Sequence, residues 1–319
     1  MLDTNTIMEI VNTSMPIIAS SPVAIKLISV VENVLKTLYI PALTLKKGKA
    51  EVDVEIYRQQ KNNELLNNQT FTLYEITKLK NFINTAQYAS EELENDNSEY
   101  SDEQVDFDWI MRFFDAVGNI SNVDMQKLWG KVLAGEIKQP GICSLRTLDI
   151  IRNMSAKEAQ TYNELCKYVL TSGDCYFILS NGFYEFNADN TDTYMYMKNK
   201  ELNFSDNIMP MIESGLISVT HNLATNFSTC NILKINNDQF LCLIISKGPN
   251  DEKDRPFEIE AYFLTTSGIE LYNIIKNTSD FKSNLEYHVL CFRELKRDYP
   301  DLSISAYQII DDDTSDDLL

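Results

Sequence analysis

The residues of this chain that could do chemistry are two histidines, six cysteines and an abundance of carboxylates. A histidine-activated nucleophile needs a Ser or Cys beside the imidazole and a third group to orient it. His221 falls in an Asn/Thr-rich loop and His288 in an expected strand, and the sequence has no G-x-S-x-G elbow to present a serine. Cys143, Cys166, Cys175, Cys230, Cys242 and Cys291 are scattered without a C-x-x-C pair, and neither histidine lies near a cysteine pair. That pattern offers no zinc ligand set and reads as small buried hydrophobes in a reducing compartment. Phosphate chemistry finds no G-x-G-x-x-G. Gly130 and Gly135 have the Walker spacing, but Glu136 and Ile137 stand where Lys and Ser or Thr would hold phosphates and magnesium. A carboxylate nuclease tolerates looser spacing, and Asp251, Glu252, Lys253, Asp254, Glu258 and Glu260 form the one cluster that would suit it. Read without chemistry, the same cluster is a solvated loop entering an edge strand. No metal and no cofactor are expected, and the balance favours a protein that is not an enzyme.

The elements that must position these residues follow from length and charge. At 319 residues and 36.6 kDa the chain can bury a sizeable core in about two domains. Its 28 basic and 47 acidic residues give a net charge of −19. The charge is local. Nine acids and no base lie between Glu91 and Asp108, and Asp311, Asp312, Asp313, Asp316 and Asp317 load the tail. What remains is a near-neutral body. The acidic run 91–106 reads as a linker, because such segments stay solvated and pack poorly; it lacks the spacing of a twelve-residue calcium loop.

The expected organisation is α+β: an amino-terminal helical bundle or arm over 1–90, the acidic linker 91–106, a helical module over 107–172, a winged-helix-like mixed domain with a small antiparallel sheet over 173–310, and an acidic tail over 311–319. In the arm, the uncharged run Ile10 to Ile25 is interrupted by Pro16 and Pro22 and is too short for a spanning helix. A helix opening at Ser21 and Pro22 would carry Val23, Leu27, Val30, Val31, Val34 and Leu38 on one stripe. Val23, Leu27, Val31, Val34 and Leu38 are the candidate contact with a bundle, a second copy or a membrane surface. Two further helices are expected over 50–63 and 71–93.

The module 107–172 is the densest in signals. Asp106 or Asp108 can cap a helix holding Trp109, Ile110, Phe113, Phe114 and Val117; Ser121 and Asp124 resemble a capping box opening a helix with Met125, Leu128, Trp129, Val132 and Leu133. An antiparallel pair would bury both indoles in one core. A turn from Gly135 to Gly141 leads to Ser144 as the next cap, and Ser155 with Glu158 opens a helix running through Val169 and Leu170 to Gly173. Gln126, Glu136 and Arg146 would form a hydrogen-bonded ion pair fixing the turn.

This run, Asp108-Trp109, Phe113-Phe114, Met125-Gln126, Leu128-Trp129, Val132 to Glu136, Pro140-Gly141, Ser144 to Leu148 and Glu158-Ala159, resembles the signature of DUF2806, a family of uncharacterised bacterial proteins. It is similar, more weakly, to the abortive-infection alpha family. The resemblance implies a bacterial cytoplasmic protein and, through the second family, a role in phage defence; it carries no catalytic residues. Trp109, Phe113, Gln126, Trp129, Glu136, Pro140, Gly141, Ser144 and Arg146 are the signature positions to follow.

In the mixed half, strands are expected at 175–179, 230–235, 240–246, 257–264, 287–292 and 304–310, with a helix capped by Ser205 ending in Glu213-Ser214-Gly215-Leu216-Ile217, a pattern similar to a winged helix. That helix carries no Arg or Lys, so nucleic acid is not an expected partner. The expected function is a non-enzymatic interaction or effector protein, forming a homo-oligomer or binding a protein. A membrane-acting effector, peripheral through its apolar arm, and a winged-helix regulator of nucleic acid are the alternatives.

Overall fold

The computed structural model describes residues 22–39, 73–94, 100–183, 191–218, 221–226, 232–246, 256–278, 281–311 and 314–319. The helix expected over 50–63, Cys230, and Asp251 to Asp254 of the acidic cluster lie outside these residues. The chain divides into two compact units, Met1–Arg152 and Asn153–Leu319. The stretch 107–172 is therefore shared between them, its last helix belonging to the second unit.

The first unit is helical: α1 Pro22–Tyr39, α2 Leu73–Glu94, α3 Phe107–Val117, α4 Val123–Lys138 and α5 Leu145–Asn153. Glu91, Glu92 and Glu94 of the acidic run are the last turn of α2, so helix extends into the expected linker. Asp106 caps α3, its carboxylate accepting from Trp109 N at 2.8 Å. The cap of α4 is Asn122, one residue beyond the expected Ser121, because its side-chain oxygen reaches Met125 N at 3.0 Å. Rings link the helices in series: Trp109 stacks on Phe113, Phe113 meets Trp129 edge-on, and Phe82 of α2 meets Phe114 edge-on. Both indoles thus share one core, as the pattern required.

The apolar stripe of α1 faces this same core. Leu27, Val31 and Val34 are buried, Val23 is half-buried, and the Leu38 side chain lies outside the described residues. The face expected to meet a membrane or a second copy is the one the bundle uses itself. Lys26 on the flank holds the helix in place: its ammonium donates to Ser101 O at 2.9 Å and to Ile137 O, a last-turn carbonyl of α4, at 2.7 Å. Burial lowers its pKa, and Asp102, Glu103 and Glu136 counter that shift.

Helices α2 and α4 approach closely at Gly130, where a Cβ would stand 2.6 Å from Tyr88 Cβ. The backbone N of Ala89, a small buried residue on α2, stands 3.1 Å from the same position. Gly130→Val is expected to lower the stability of this unit by about 1–3 kcal/mol through overpacking. A urea titration read by tryptophan fluorescence checks it, since both tryptophans lie in this unit. An unchanged midpoint would refute the close approach.

The second unit is α+β, as expected, but its sheet is larger. Helix α6 Ala156–Leu165, opened by the Ser155–Glu158 capping box, stops at a 3₁₀ turn, Cys166–Tyr168. The chain then enters β1 Val169–Ser172 where the helix was expected to continue; β-branched Val169 and Thr171 suit a strand, and Gly173 (φ 57°) makes the turn to β2 Cys175–Leu179. There follow α7 Asp192–Asn199, a π turn Phe204–Ile208 leading into α8 Met209–Glu213, β3 His221–Asn226, β4 Ile232–Asn237, β5 Phe240–Ser246, β6 Pro256–Phe263, α9 Thr266–Lys276, α10 Leu285–Asp298, β7 Leu302–Asp311 and β8 Thr314–Asp317.

These strands form one sheet in the order β3-β6-β2-β1-β4-β5-β7-β8, every described pairing antiparallel. On β5, Phe240, Cys242 and Ile244 are buried while Leu241, Leu243 and Ile245 are half-buried, the alternation of a sheet covered on one face. Helix α10 lies there, with Phe292 stacked 5.4 Å from Phe240. The segment 287–292, expected as a strand, is the first part of this helix, capped by Asn284. The winged-helix detail is not reproduced: eight strands replace the small sheet, and the presumed reading helix is a π turn plus one five-residue helix capped by Asn203 rather than Ser205. No helix among the described residues is long and apolar enough to cross a membrane.

Candidate functional site

Two polar clusters merit a site's scrutiny, one in each unit. In the first unit the signature residues surround the α4–α5 connection. Glu136, 1% exposed, accepts from Gly141 N at 2.7 Å and Cys143 N at 3.1 Å. On the other side of Cys143, its carbonyl accepts the Trp109 indole N–H at 2.7 Å. Gly141 adopts φ 86°, a left-handed turn that Pro140 precedes. Ser144 caps α5, its hydroxyl accepting from Thr147 N at 3.3 Å. Arg146 is exposed on α5; the buried carboxylate is held instead by the fixed N–H dipoles of the turn, and the Lys26 ammonium interacts with it electrostatically.

Gln126 behaves alike. Its amide donates to Ile120 O at 2.8 Å and to Asn81 Oδ1 at 3.3 Å, while Asn81 donates to Gly118 O at 2.9 Å. The two amides satisfy the carbonyls of the α3–α4 turn. Phe113 and Trp129 complete the core; the Trp129 indole N–H is buried without a hydrogen-bond partner. Trp109, Phe113, Gln126, Trp129, Glu136, Pro140, Gly141 and Ser144 are thus brought together around one pair of turns, and Arg146 stands outside.

The second cluster was not readable from sequence. Ser283 Oγ lies 3.2 Å from His288 Nε2, and Asn237 Nδ2 donates to the same hydroxyl at 2.6 Å. A Ser–His contact invites comparison with a nucleophile and its base. The bonding runs the other way. His288 is fully buried, with Nδ1 unpartnered, and burial pushes its pKa down to about 3. A buried unpaired N–H costs more than an unpaired lone pair, so the favoured tautomer carries its proton on Nε2 and donates it to Ser283. The serine hydroxyl then accepts from His288 and Asn237 and donates to Lys167 O at 3.3 Å. Its capacity is full, its proton rests on a carbonyl, and among the described residues no carboxylate orients the imidazole. The cluster joins the start of α10 to the β4–β5 turn, where Asn237 Oδ1 also accepts from Gln239 N.

Other buried titratable groups are likewise structural. Tyr162 donates to Gly268 O at 2.6 Å and Tyr287 to Leu179 O at 3.1 Å, burial raising both phenols well above their ordinary range. Glu294 of α10 accepts from Thr193 N and Thr193 Oγ1, tying down the first turn of α7. Burial also raises the thiols of Cys166, Cys242 and Cys291, which leaves them unreactive. Among the described residues no group of three or more His, Cys, Asp or Glu could hold a metal.

A helical bundle whose turns are locked by a buried carboxylate, linked in one chain to a helix-covered antiparallel sheet, defines an α+β protein whose signature residues serve the scaffold. The family described as Protein of unknown function (DUF2806) matches residues 54–287, and the chain belongs to it. The match reaches into both units but leaves out α1, α10 beyond Tyr287, and β7–β8. No curated protein and no solved structure matches the chain.

Proposed function

We propose that this DUF2806 chain is a non-catalytic interaction protein that works by self-association or by binding a protein partner. The observation that carries the reading is the wiring of Ser283 and His288: among the described residues the pair resembling a catalytic dyad has a hydroxyl that also contacts Asn237 Nδ2 and Lys167 O, beside a fully buried imidazole. The signature residues support the same reading, because Glu136 and Gln126 are committed to backbone groups. Burial of Leu27, Val31 and Val34 speaks for a bundle role over membrane insertion. The setting proposed is the bacterial cytoplasm, with phage restriction as the process to assay, on the resemblance of the signature to the abortive-infection family.

Ser283→Ala tests this. The full chain and the variant should show the same background with ester, phosphodiester and DNA substrates, and should restrict phage equally in cells, while mass photometry of the wild-type chain should show species heavier than 36.6 kDa. Turnover above background that Ser283→Ala abolishes would overturn the reading.

A further inference from the structure

The two edges of the sheet differ in a way that bears on partner binding. Strand β8 is a blunted edge: it has four residues, two of them Asp316 and Asp317, and the register slips between Ile309 and Asp311 beside it. Strand β3 is six residues with no charge and no proline, in unbroken register with β6 from His221↔Ala261 to Asn226↔Pro256. Among the described residues it is the outer strand.

Which backbone groups it presents can be derived. Ser180 N donates to Glu260 O and Leu264 N to Tyr176 O, so the even-numbered residues of this segment turn their peptide groups toward β2. Ser218 N donates to Phe263 O, so the odd-numbered ones turn toward β3. His221, Leu223 and Thr225, opposite Ala261, Ile259 and Phe257, therefore make the inward bonds. The N–H and C=O groups of Asn222, Ala224 and Asn226 point outward, a ladder of the kind an added strand completes.

Charge selects the occupant. Glu258 and Glu260 are exposed on β6, in register opposite Ala224 and Asn222. A strand added beyond β3 would lie about 9–10 Å from β6, two inter-strand spacings, a gap that the long stem of Lys or Arg largely spans. A second copy of this chain paired through its own β3 would bring a second Glu258 and Glu260 toward the first pair. We propose that the β3 edge docks an extended basic peptide segment of a partner protein, added as a ninth strand. This deepens the interaction reading above and rests on it.

The test is fluorescence polarisation of the full chain with a labelled ten-residue peptide of alternating lysine and valine. A glutamate-for-lysine peptide and a proline-interrupted one serve as controls. Saturable, salt-sensitive binding of the lysine peptide alone is expected. Ala224→Pro removes an outward N–H and no β3–β6 bond, so it should weaken binding at least tenfold with an unchanged melting transition. The double change Glu258→Lys with Glu260→Lys should weaken it comparably at low salt, and decides the matter if the proline variant does not fold. Absence of binding, binding unaffected by these changes, or self-association that Ala224→Pro abolishes would overturn the proposal. The last result would place a second copy on the edge. If no peptide binds while wild-type self-association persists, the edge proposal falls and the interaction reading stands; a turnover lost in Ser283→Ala removes that reading itself.

Discussion

Lowering the pH from 7 toward 4 is expected to destabilise the Asn153–Leu319 unit progressively, and His288→Gln is expected to flatten that dependence. The sign follows from proton linkage. His288 is held down to about 3 in the fold by burial against an ordinary value of 6.5. Between these values the unfolded chain takes up a proton that the folded chain refuses, so stability is fully present above pH 6.5 and falls with acidification by about 1.4 kcal/mol per pH unit until about pH 3. At pH 4.5 the loss is about 2–3 kcal/mol, a large share of the stability of a domain. Refusal of the proton has a structural cause. Phe240, 5.5 Å away, and Tyr287 flank the ring, and the Ser283 hydroxyl is already committed, so nothing stabilises a second N–H. Glutamine preserves a donor near the Nε2 position without titrating. Urea midpoints measured across pH by near-ultraviolet tyrosine circular dichroism weigh this unit most, since it holds eleven of the sixteen tyrosines. A wild-type slope equal to that of His288→Gln would show that the imidazole is accessible to protons in the fold.

How much of this could be read in the sequence depends on how local the determining physics is. The helix caps and stripes were legible, because Asp106 and Ser144 in the first unit and Ser155 at the start of the second act on amides three residues away and α3 and α4 bury one face each. The one-residue displacement from Ser121 to Asn122 reflects two adjacent residues able to cap. Strands β2, β5 and β6 were legible from β-branched and aromatic runs. Less so was Tyr287 to Phe292, an apolar run of strand length. Runs of that length are ambiguous by periodicity, and the decisive signals, Asn284 before it and Lys296 and Arg297 in the last turn, lie outside the run. Strand β3 carries too little apolar pattern to be seen; its existence depends on pairing with β6. The Ser283–His288–Asn237 cluster was invisible for a stronger reason: Asn237 is separated from its partners by 46 and 51 residues, and only the sheet brings them together. Glu136 was recognised as a position but not in its role, because two backbone amides leave no mark in the residue types around them.

That role leads to the largest effect expected in the first unit. Glu136→Ala should destabilise the Met1–Arg152 bundle by about 2–4 kcal/mol, since hydrogen bonds to a charged group contribute about 1.5–3 kcal/mol each and a buried donor left behind carries its own desolvation cost. The two amides are not equivalent. Gly141 is exposed and water can replace the carboxylate there, whereas Cys143 is buried and its N–H would be left without a partner. Cys143 is also the residue whose carbonyl receives the Trp109 indole, so Glu136 from α4 and Trp109 from α3 hold opposite ends of one residue. Their effects should therefore couple. A double-mutant cycle of Glu136→Gln and Trp109→Phe, read by Trp129 fluorescence during urea unfolding, is expected to show an interaction of about 1 kcal/mol, well above the additivity expected of independent sites. Glutamine preserves the shape of the side chain but loses its charge and offers an N–H where an acceptor is needed, so the single change should already cost a measurable part of the alanine effect. Strict additivity would mean that the turn adjusts around Cys143 instead of being clamped there. The signature would then mark helix packing alone, with the turn free to vary.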